Sequence, residues 1–75
     1  MARFEVGKVY LANGSFDAIT IKRRTEKTAW VETYDGYSGY MRIRLDDAGD
    51  EYMTDSSVPP RWREEFTYSA RNQEG

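Results

Sequence analysis

The chain has 75 residues, contains neither cysteine nor histidine, and carries a formal net charge of -2 at pH 7. The missing cysteines exclude disulfides and thiolate metal sites, and the missing histidine removes the commonest general base and transition-metal ligand. A chain of this length forms one small domain, which buries only about 60% of the surface that its unfolded chain exposes.

Neither a signal peptide nor a membrane span is predicted. The first residues, MARFEVGKVY, contain no apolar segment of the kind a signal peptide needs, and no stretch approaches the roughly 20 apolar residues of a membrane span. Together with the missing cysteines, this predicts a cytoplasmic protein with no membrane partner. Charge is uneven: residues 1–44 carry eight Lys or Arg and five Asp or Glu, whereas residues 45–75 carry three and eight.

Short runs of β-branched and aromatic residues, alternating with polar ones, predict strands in the first part of the chain. In chain order these are RFEVGKVYLA (3–12), DAITIKRR (17–24), TAWVETY (28–34) and YMRIRLD (40–46). Turn residues separate them, and Gly7 marks a bend or bulge within the first. In the fourth strand, Met41, Ile43 and Leu45 are predicted to face inward, with Arg42 and Arg44 facing outward.

The second part of the chain is less regular. DDAGDEYM (46–53) predicts a tight hairpin with Gly49 in its turn, and the two prolines in TDSSVPP (54–60) predict an irregular loop, because proline lacks an amide donor. RWREEFTYSA (61–70) fits a short helical turn near residues 60–65, of α or 3₁₀ type, that leads into a final strand.

We therefore predict an all-β fold: a small SH3-like antiparallel barrel or a strongly bent meander of five to six strands. Closure onto the last strand protects the edges of so small a sheet. The predicted organisation is one domain, residues 1–70, followed by a flexible C-terminal tail at residues 71–75.

The segment YDGYSGY (34–40) connects the third and fourth strands. Its Asp, Ser and Gly residues are typical of a turn, which leaves Tyr37 without a structural role. Tyrosine, serine and glycine also make up contact loops, because tyrosine offers a large amphipathic surface at low entropic cost. The loop is thus either a plain hairpin tip or a partner-binding loop with Tyr37 at its centre.

One face of the predicted third and fourth strands combines aromatic and basic side chains. Nucleic-acid bases stack on aromatic rings, and phosphates pair with Arg and Lys, so this face predicts contact with single-stranded DNA or RNA. The residues assigned to it are Lys22, Trp30, Tyr34, Tyr40, Arg42 and Arg44. In the alternative interpretation, the segment RWREEF covers Trp30, while Arg42 or Arg44 pairs with Glu32 or lies over an aromatic ring.

Acidic residues cluster in DDAGDE (46–51) without forming a recognisable metal site. The run lacks the residue order of a calcium loop, so no metal or cofactor is predicted. A rigid carboxylate patch along the acidic edge, residues 46–55, can instead imitate a phosphate backbone and serve an inhibitory module. Neighbouring acidic residues on a strand point to opposite faces and the sequence has no phosphate loop or nucleophile elbow, so no enzymatic activity is expected.

Several short motifs resemble a group of small, mostly uncharacterised β-domain proteins. They are GKVY (7–10), Asp17, KRRTEKTAWV (22–31), MRIRLDDAGDEY (41–52) and FTYSA (66–70). Members of that group are encoded on conjugative elements, plasmids and phages of gut Firmicutes. This chain departs from the pattern in its SARNQ ending and in the prolines ahead of Trp62. The resemblance implies a compact β domain and a mobile-element origin, and it implies no functional residue.

These observations predict a non-enzymatic accessory binding module of mobile-element type. Its first predicted partner is single-stranded nucleic acid on the aromatic and basic face. The alternative is a protein-interaction or inhibitory module, with a host or element-encoded partner, that uses the Tyr-rich loop 34–40 or the acidic edge 46–55.

Overall fold

A computed structural model describes residues 1–14 and 17–73 of the chain. Within these ranges the regular structure consists of seven strands and one 3₁₀ turn, Pro60–Trp62. The strands are β1 (Val9–Ala12), β2 (Ala18–Arg24), β3 (Thr28–Thr33), β4 (Ser38–Arg42), β5 (Arg44–Leu45), β6 (Glu51–Thr54) and β7 (Thr67–Gln73).

The seven strands form a single antiparallel sheet in the order β4-β3-β2-β1-β7-β6-β5. Only one residue, Ile43, separates β4 from β5, so the two strands at opposite ends of this order are consecutive in the chain. The sheet must curl to bring them together, and it forms a nearly closed barrel. The prediction of an all-β antiparallel barrel is confirmed.

A bend at Ile43 divides the strand that the sequence predicts over residues 40–46. The Ile43 N–H donates a hydrogen bond to the Lys27 carbonyl at 2.7 Å, and the next two residues pair with β6 instead of β3. This division accounts for seven strands where five to six were predicted. It also changes the environment of Leu45, whose predicted inward position is wrong: it is 66% exposed on a two-residue strand at the sheet edge.

Alternate residues of the strands fill the barrel. β1, β2 and β3 each contribute two buried side chains in the period-2 pattern that the sequence predicts. The buried hydrophobic core consists of Phe4, Tyr10, Ala12, Ile19, Ile21, Ala29, Val31, Ile43, Met53, Tyr68 and Ala70.

The N-terminal residues cover one end of the barrel. The Phe4 ring is buried and meets the Tyr10 ring edge to face, with 4.8 Å between ring centroids. The Tyr10 hydroxyl accepts a hydrogen bond from the Glu5 N–H at 2.8 Å. Regular strand pairing begins only at Val9, so only Val9–Ala12 of the predicted first strand, residues 3–12, forms a strand.

The C-terminal part agrees with the expected helical turn and closing strand. The 3₁₀ turn begins at Pro60, where the missing amide costs no hydrogen bond, and β7 follows at Thr67. β7 continues to Gln73, and the Asn72 side-chain amide donates to the Leu11 carbonyl at 3.1 Å. Residues 71–73 are therefore part of the sheet, although the tail was predicted for residues 71–75; residues 74 and 75 lie outside the described residues.

A search of residues 1–14 and 17–73 finds no helix with the length and apolar character needed to cross a membrane.

Candidate nucleic-acid interface

Strand register brings Arg23, Trp30 and Tyr40 side by side on the outside of the barrel. Trp30 is the cross-strand partner of Arg23 on β2 and of Tyr40 on β4. Directly opposed residues of antiparallel strands project from the same face, so these three side chains form one row across three strands. Trp30 is half-buried and Tyr40 is 74% exposed, so the row presents an accessible ring beside an anchored one.

A β-bulge in β2 places Arg23 in this row. The register shifts between Ile21 and Arg23, so Lys22 and Arg23 together oppose a single residue of β3. Strict alternation assigns the outward position to Lys22 and an inward one to Arg23. After the bulge, Arg23 faces outward opposite Trp30, and Arg24 turns inward opposite the buried Ala29. Lys22 is exposed beside the row.

The Arg23 guanidinium lies over the indole of Trp30. Its central carbon is 4.0 Å from the ring centroid, which is the geometry of a cation–π contact. The contact places the guanidinium against one face of the indole. The sequence pattern indicates Arg42 or Arg44 for such a ring contact and not Arg23, because a β-bulge has no strong sequence signal.

The two predicted arginines of the fourth strand occupy different places. Arg42 is paired with Thr28 and lies two residues beyond Tyr40, on the same outer face. Arg44 lies past the bend at Ile43, paired with Tyr52 of β6. Ion pairs within the described residues involve only Arg3, Arg24 and Arg71, so neither arginine pairs with Glu32. We refer to Lys22, Arg23, Trp30, Tyr40 and Arg42 as the outer face.

Tyr34 and Tyr37 lie at the hairpin tip, away from the centre of the outer face. The turn is held by Thr33, whose N–H donates to the Tyr37 carbonyl at 2.8 Å and whose hydroxyl accepts from the Tyr37 N–H at 3.0 Å. Gly36 adopts a φ of 93°, which glycine tolerates best. These bonds account for the backbone of the loop, while both tyrosine rings are exposed.

Tyr37 also lines a groove of about 520 Å³ at the end of the barrel near the hairpin tip. Three carboxylates line this groove, those of Asp17, Asp35 and Asp55, and no Lys or Arg does. Tyr68, only 2% exposed, is part of its wall. Burial raises the pKa of Tyr68 to about 12, and the negative charges of Asp17 and Asp55 act in the same direction.

Most carboxylates of the predicted acidic edge take part in hydrogen bonds and ion pairs that stabilise the fold. One Asp46 oxygen accepts hydrogen bonds from the N–H groups of Ala48 and Asp50, at 2.9 and 3.0 Å. Asp50 is buried, accepts from the Ala2 N–H at 2.6 Å and pairs with Arg71 at 3.1 Å. These bonds close the hairpin and fasten the N-terminus to it, which leaves fewer carboxylates facing solvent than the sequence suggests.

Glu51 is the most enclosed of these acids. Its carboxylate receives two hydrogen bonds from the Arg24 guanidinium, at 2.7 and 2.9 Å, and one from the Phe4 N–H at 2.7 Å. Burial by itself favours the protonated form, but these hydrogen bonds outweigh it and hold the pKa of Glu51 below its ordinary value. The acid is therefore ionised at neutral pH and structural.

No family model, curated protein or solved structure matches the chain in comparisons with known proteins.

Proposed function

We propose that the protein is a non-enzymatic accessory module that binds single-stranded nucleic acid on its outer face. The observation that carries this proposal is the cross-strand row of Arg23, Trp30 and Tyr40, with Arg42 and Lys22 beside it. A base stacks on the exposed Tyr40 ring or on the Arg23 guanidinium, and neighbouring phosphates meet the basic side chains. A cytoplasmic location and a mobile-element origin are parts of this proposal.

The charge state of the outer face supports the proposal. None of its three basic side chains forms an ion pair with a described acidic residue. Glu32 lies two residues from Trp30 on the same side of β3, and the three basic side chains outnumber this one carboxylate, so the surface is locally positive although the whole chain has a net charge of -2. Such a surface attracts phosphates at low salt and loses them as salt rises, because binding releases condensed counterions.

The test is a fluorescence titration that separates the two tryptophans. In a Trp62→Phe variant, Trp30 is the only tryptophan. A short dT or rU oligomer of about eight nucleotides should quench the Trp30 fluorescence at low salt, and the quenching should weaken as salt increases. In the Trp30→Phe variant, the remaining Trp62 on the 3₁₀ turn should respond weakly. An unchanged Trp30 signal at low salt with both oligomers would refute nucleic-acid binding on this face.

Substitutions then assign the contributions of single residues. Tyr40→Ala should weaken binding by about 1–3 kcal/mol through lost stacking. Arg42→Ala should reduce the slope of the logarithm of the binding constant against the logarithm of the salt concentration by about one. Arg61→Ala serves as the matched control, since it removes the same charge from an exposed position on the 3₁₀ turn. Equal effects of Arg42→Ala and Arg61→Ala would mean that binding is a general charge effect.

A second candidate function, a protein-interaction module, is favoured by the groove beside Tyr37. Its three carboxylates and aromatic walls suit the cationic side chain of a basic peptide. An Arg-containing peptide should then bind at low salt and lose affinity in Tyr37→Ala and Asp55→Asn, with Asp47→Asn as an exposed acidic control. Binding that is equally reduced by Asp47→Asn, or absent, would contradict this function.

A further inference from the structure

The barrel has an open seam between β4 and β6. β4 is paired along its length with β3, and β6 is paired with β7 and, at Glu51 and Tyr52, with β5. Within the described residues, the remainder of β6 has no strand partner on the side of β4. The bend at Ile43 thus carries the chain from one edge of the sheet to the other and leaves a groove of about 350 Å³ beside it.

Three arginines line this seam, and no acidic residue does. Arg42 and Arg44 come from either side of the bend, and Arg63 comes from the segment after the 3₁₀ turn. None of the three forms an ion pair within the described part of the chain. Three guanidinium groups around one small groove repel one another, so an anion in the groove relieves the repulsion.

Local bonds hold Arg63 against the seam. Its Nε donates to the Val58 carbonyl at 3.1 Å and one Nη donates to the Ser56 carbonyl at 3.5 Å, which leaves three of its five N–H donors for a ligand. Its own carbonyl accepts from the Thr67 hydroxyl at 2.7 Å, and that hydroxyl lies 2.9 Å from the hydroxyl of Thr54, another residue of the seam. The arginine is thereby oriented before any ligand arrives, which lowers the entropic cost of binding.

We infer that this seam is a phosphate-binding subsite made by Arg42, Arg44 and Arg63, with the Ser56 hydroxyl as a further donor. The planar guanidinium fork matches the oxygens of a phosphate in a bidentate arrangement. Tyr40 belongs both to the outer face and to the wall of the seam. A base stacked on Tyr40 therefore places its phosphate at the seam. The inference rests on the proposed function and adds to it a defined position for one phosphate.

The first experiment follows the arginine Nε–H resonances by NMR while the native protein is titrated with inorganic phosphate, and with chloride at the same ionic strength. The Arg63 signal should shift with phosphate and not with chloride. Shifts that are identical for the two salts would overturn the subsite. This measurement needs no variant and no nucleic acid, so it tests the seam independently of the proposed function.

The second experiment compares Arg63→Gln with Arg61→Gln in the binding of the short dT oligomer. Arg63→Gln should lower affinity about tenfold at low salt and reduce the salt slope by about one, while Arg61→Gln should change neither. Arg63→Lys keeps the charge, so it should retain the salt slope and recover part of the affinity. Equal behaviour of the two Gln variants would overturn the subsite while leaving nucleic-acid binding intact.

Two further outcomes are decisive. If phosphate shifts Arg63 but no oligomer binds, the subsite stands and the proposed function fails. If a Glu-rich peptide shifts Arg63 while phosphate does not, the seam recognises carboxylates of a protein partner, and the phosphate subsite is refuted.

Discussion

The Arg24 guanidinium and the Glu51 carboxylate form a two-pronged ion pair inside one end of the barrel, with hydrogen bonds of 2.7 and 2.9 Å. Arg24 also donates to the Phe4 carbonyl at 2.7 Å, and the Phe4 N–H donates to Glu51. The pair therefore joins β2, β6 and the N-terminal segment. The two opposite charges neutralise each other, and both side chains also form hydrogen bonds with the backbone of the buried Phe4.

Loss of the Glu51 charge should destabilise the protein strongly. Glu51→Gln leaves the partly buried Arg24 without its counterion, and removal of one partner of a buried pair costs about 3–5 kcal/mol. That is a large part of the free energy of unfolding of a small domain. Urea denaturation followed by circular dichroism measures it. Glu26→Gln is the control: Glu26 is an exposed acid in the turn between β2 and β3, so its substitution should change stability little.

The same residue predicts an acid-sensitive stability. Because the pKa of Glu51 is lower in the folded protein than its ordinary value of 4.5, the folded state binds this proton less tightly than the unfolded chain. Its stabilising contribution is complete above about pH 4.5 and is lost as the pH falls through the folded pKa. The denaturation midpoint should fall across this range, and less steeply in Glu51→Gln. An equal slope in both proteins would contradict the assignment.

Tyr68 predicts a loss of stability at the alkaline end. Its pKa is raised by burial to about 12, so the folded state keeps the proton after the unfolded chain has released it near pH 10. The contribution of Tyr68 is complete below pH 10 and is lost between pH 10 and 12. Tyr68→Phe should reduce the fall in stability over that range, while Tyr37→Phe, an exposed tyrosine, should not. Thermal unfolding monitored at several pH values provides the comparison.

The fold could be predicted from the sequence because the relevant signals are local and repeated. Alternation predicts the strands that contain the buried Ile19, Ile21 and Val31, and the hairpin pairing predicts Trp30 and Tyr40 on one face. Alternation failed at Leu45, where the chain bends and the strand changes partner. Period-2 patterns carry no information on such a change, because both halves of the segment look like strand.

The basic part of the candidate site could be predicted only in part. Alternation selected Lys22 as the outward residue of β2, but the bulge turns Arg23 outward beside it and places it against Trp30. Arg63 reaches the seam from a loop far along the sequence, through closure of the barrel. Its position depends on tertiary structure, and no pattern in RWREEF indicates it.

The bulge gives a direct spectroscopic prediction. Arg23→Ala removes the guanidinium from the Trp30 ring, so the indole becomes more exposed and its emission in a Trp62→Phe background should shift to longer wavelength. Lys22→Ala removes the same charge from the other residue of the bulge and should leave the emission nearly unchanged. A reversed order of the two effects would mean that β2 follows strict alternation and that the bulge is absent.

The hairpin after β5 allows a test of backbone strain against crowding. Gly49 has a φ of 82°, a left-handed conformation that costs an L-residue about 1–2 kcal/mol, and an added Cβ would lie 2.8 Å from the Met1 sulfur. Met1 is a flexible, exposed side chain that can move away, so backbone strain should dominate the cost of Gly49→Ala.

Gly39→Ala is the control, because that glycine has no positive φ and nothing within 4 Å of its added Cβ. Urea denaturation should show a loss of about 1–2 kcal/mol for Gly49→Ala and little change for Gly39→Ala. If shortening Met1 to Ala restored the stability of Gly49→Ala, crowding rather than backbone strain would be the cause.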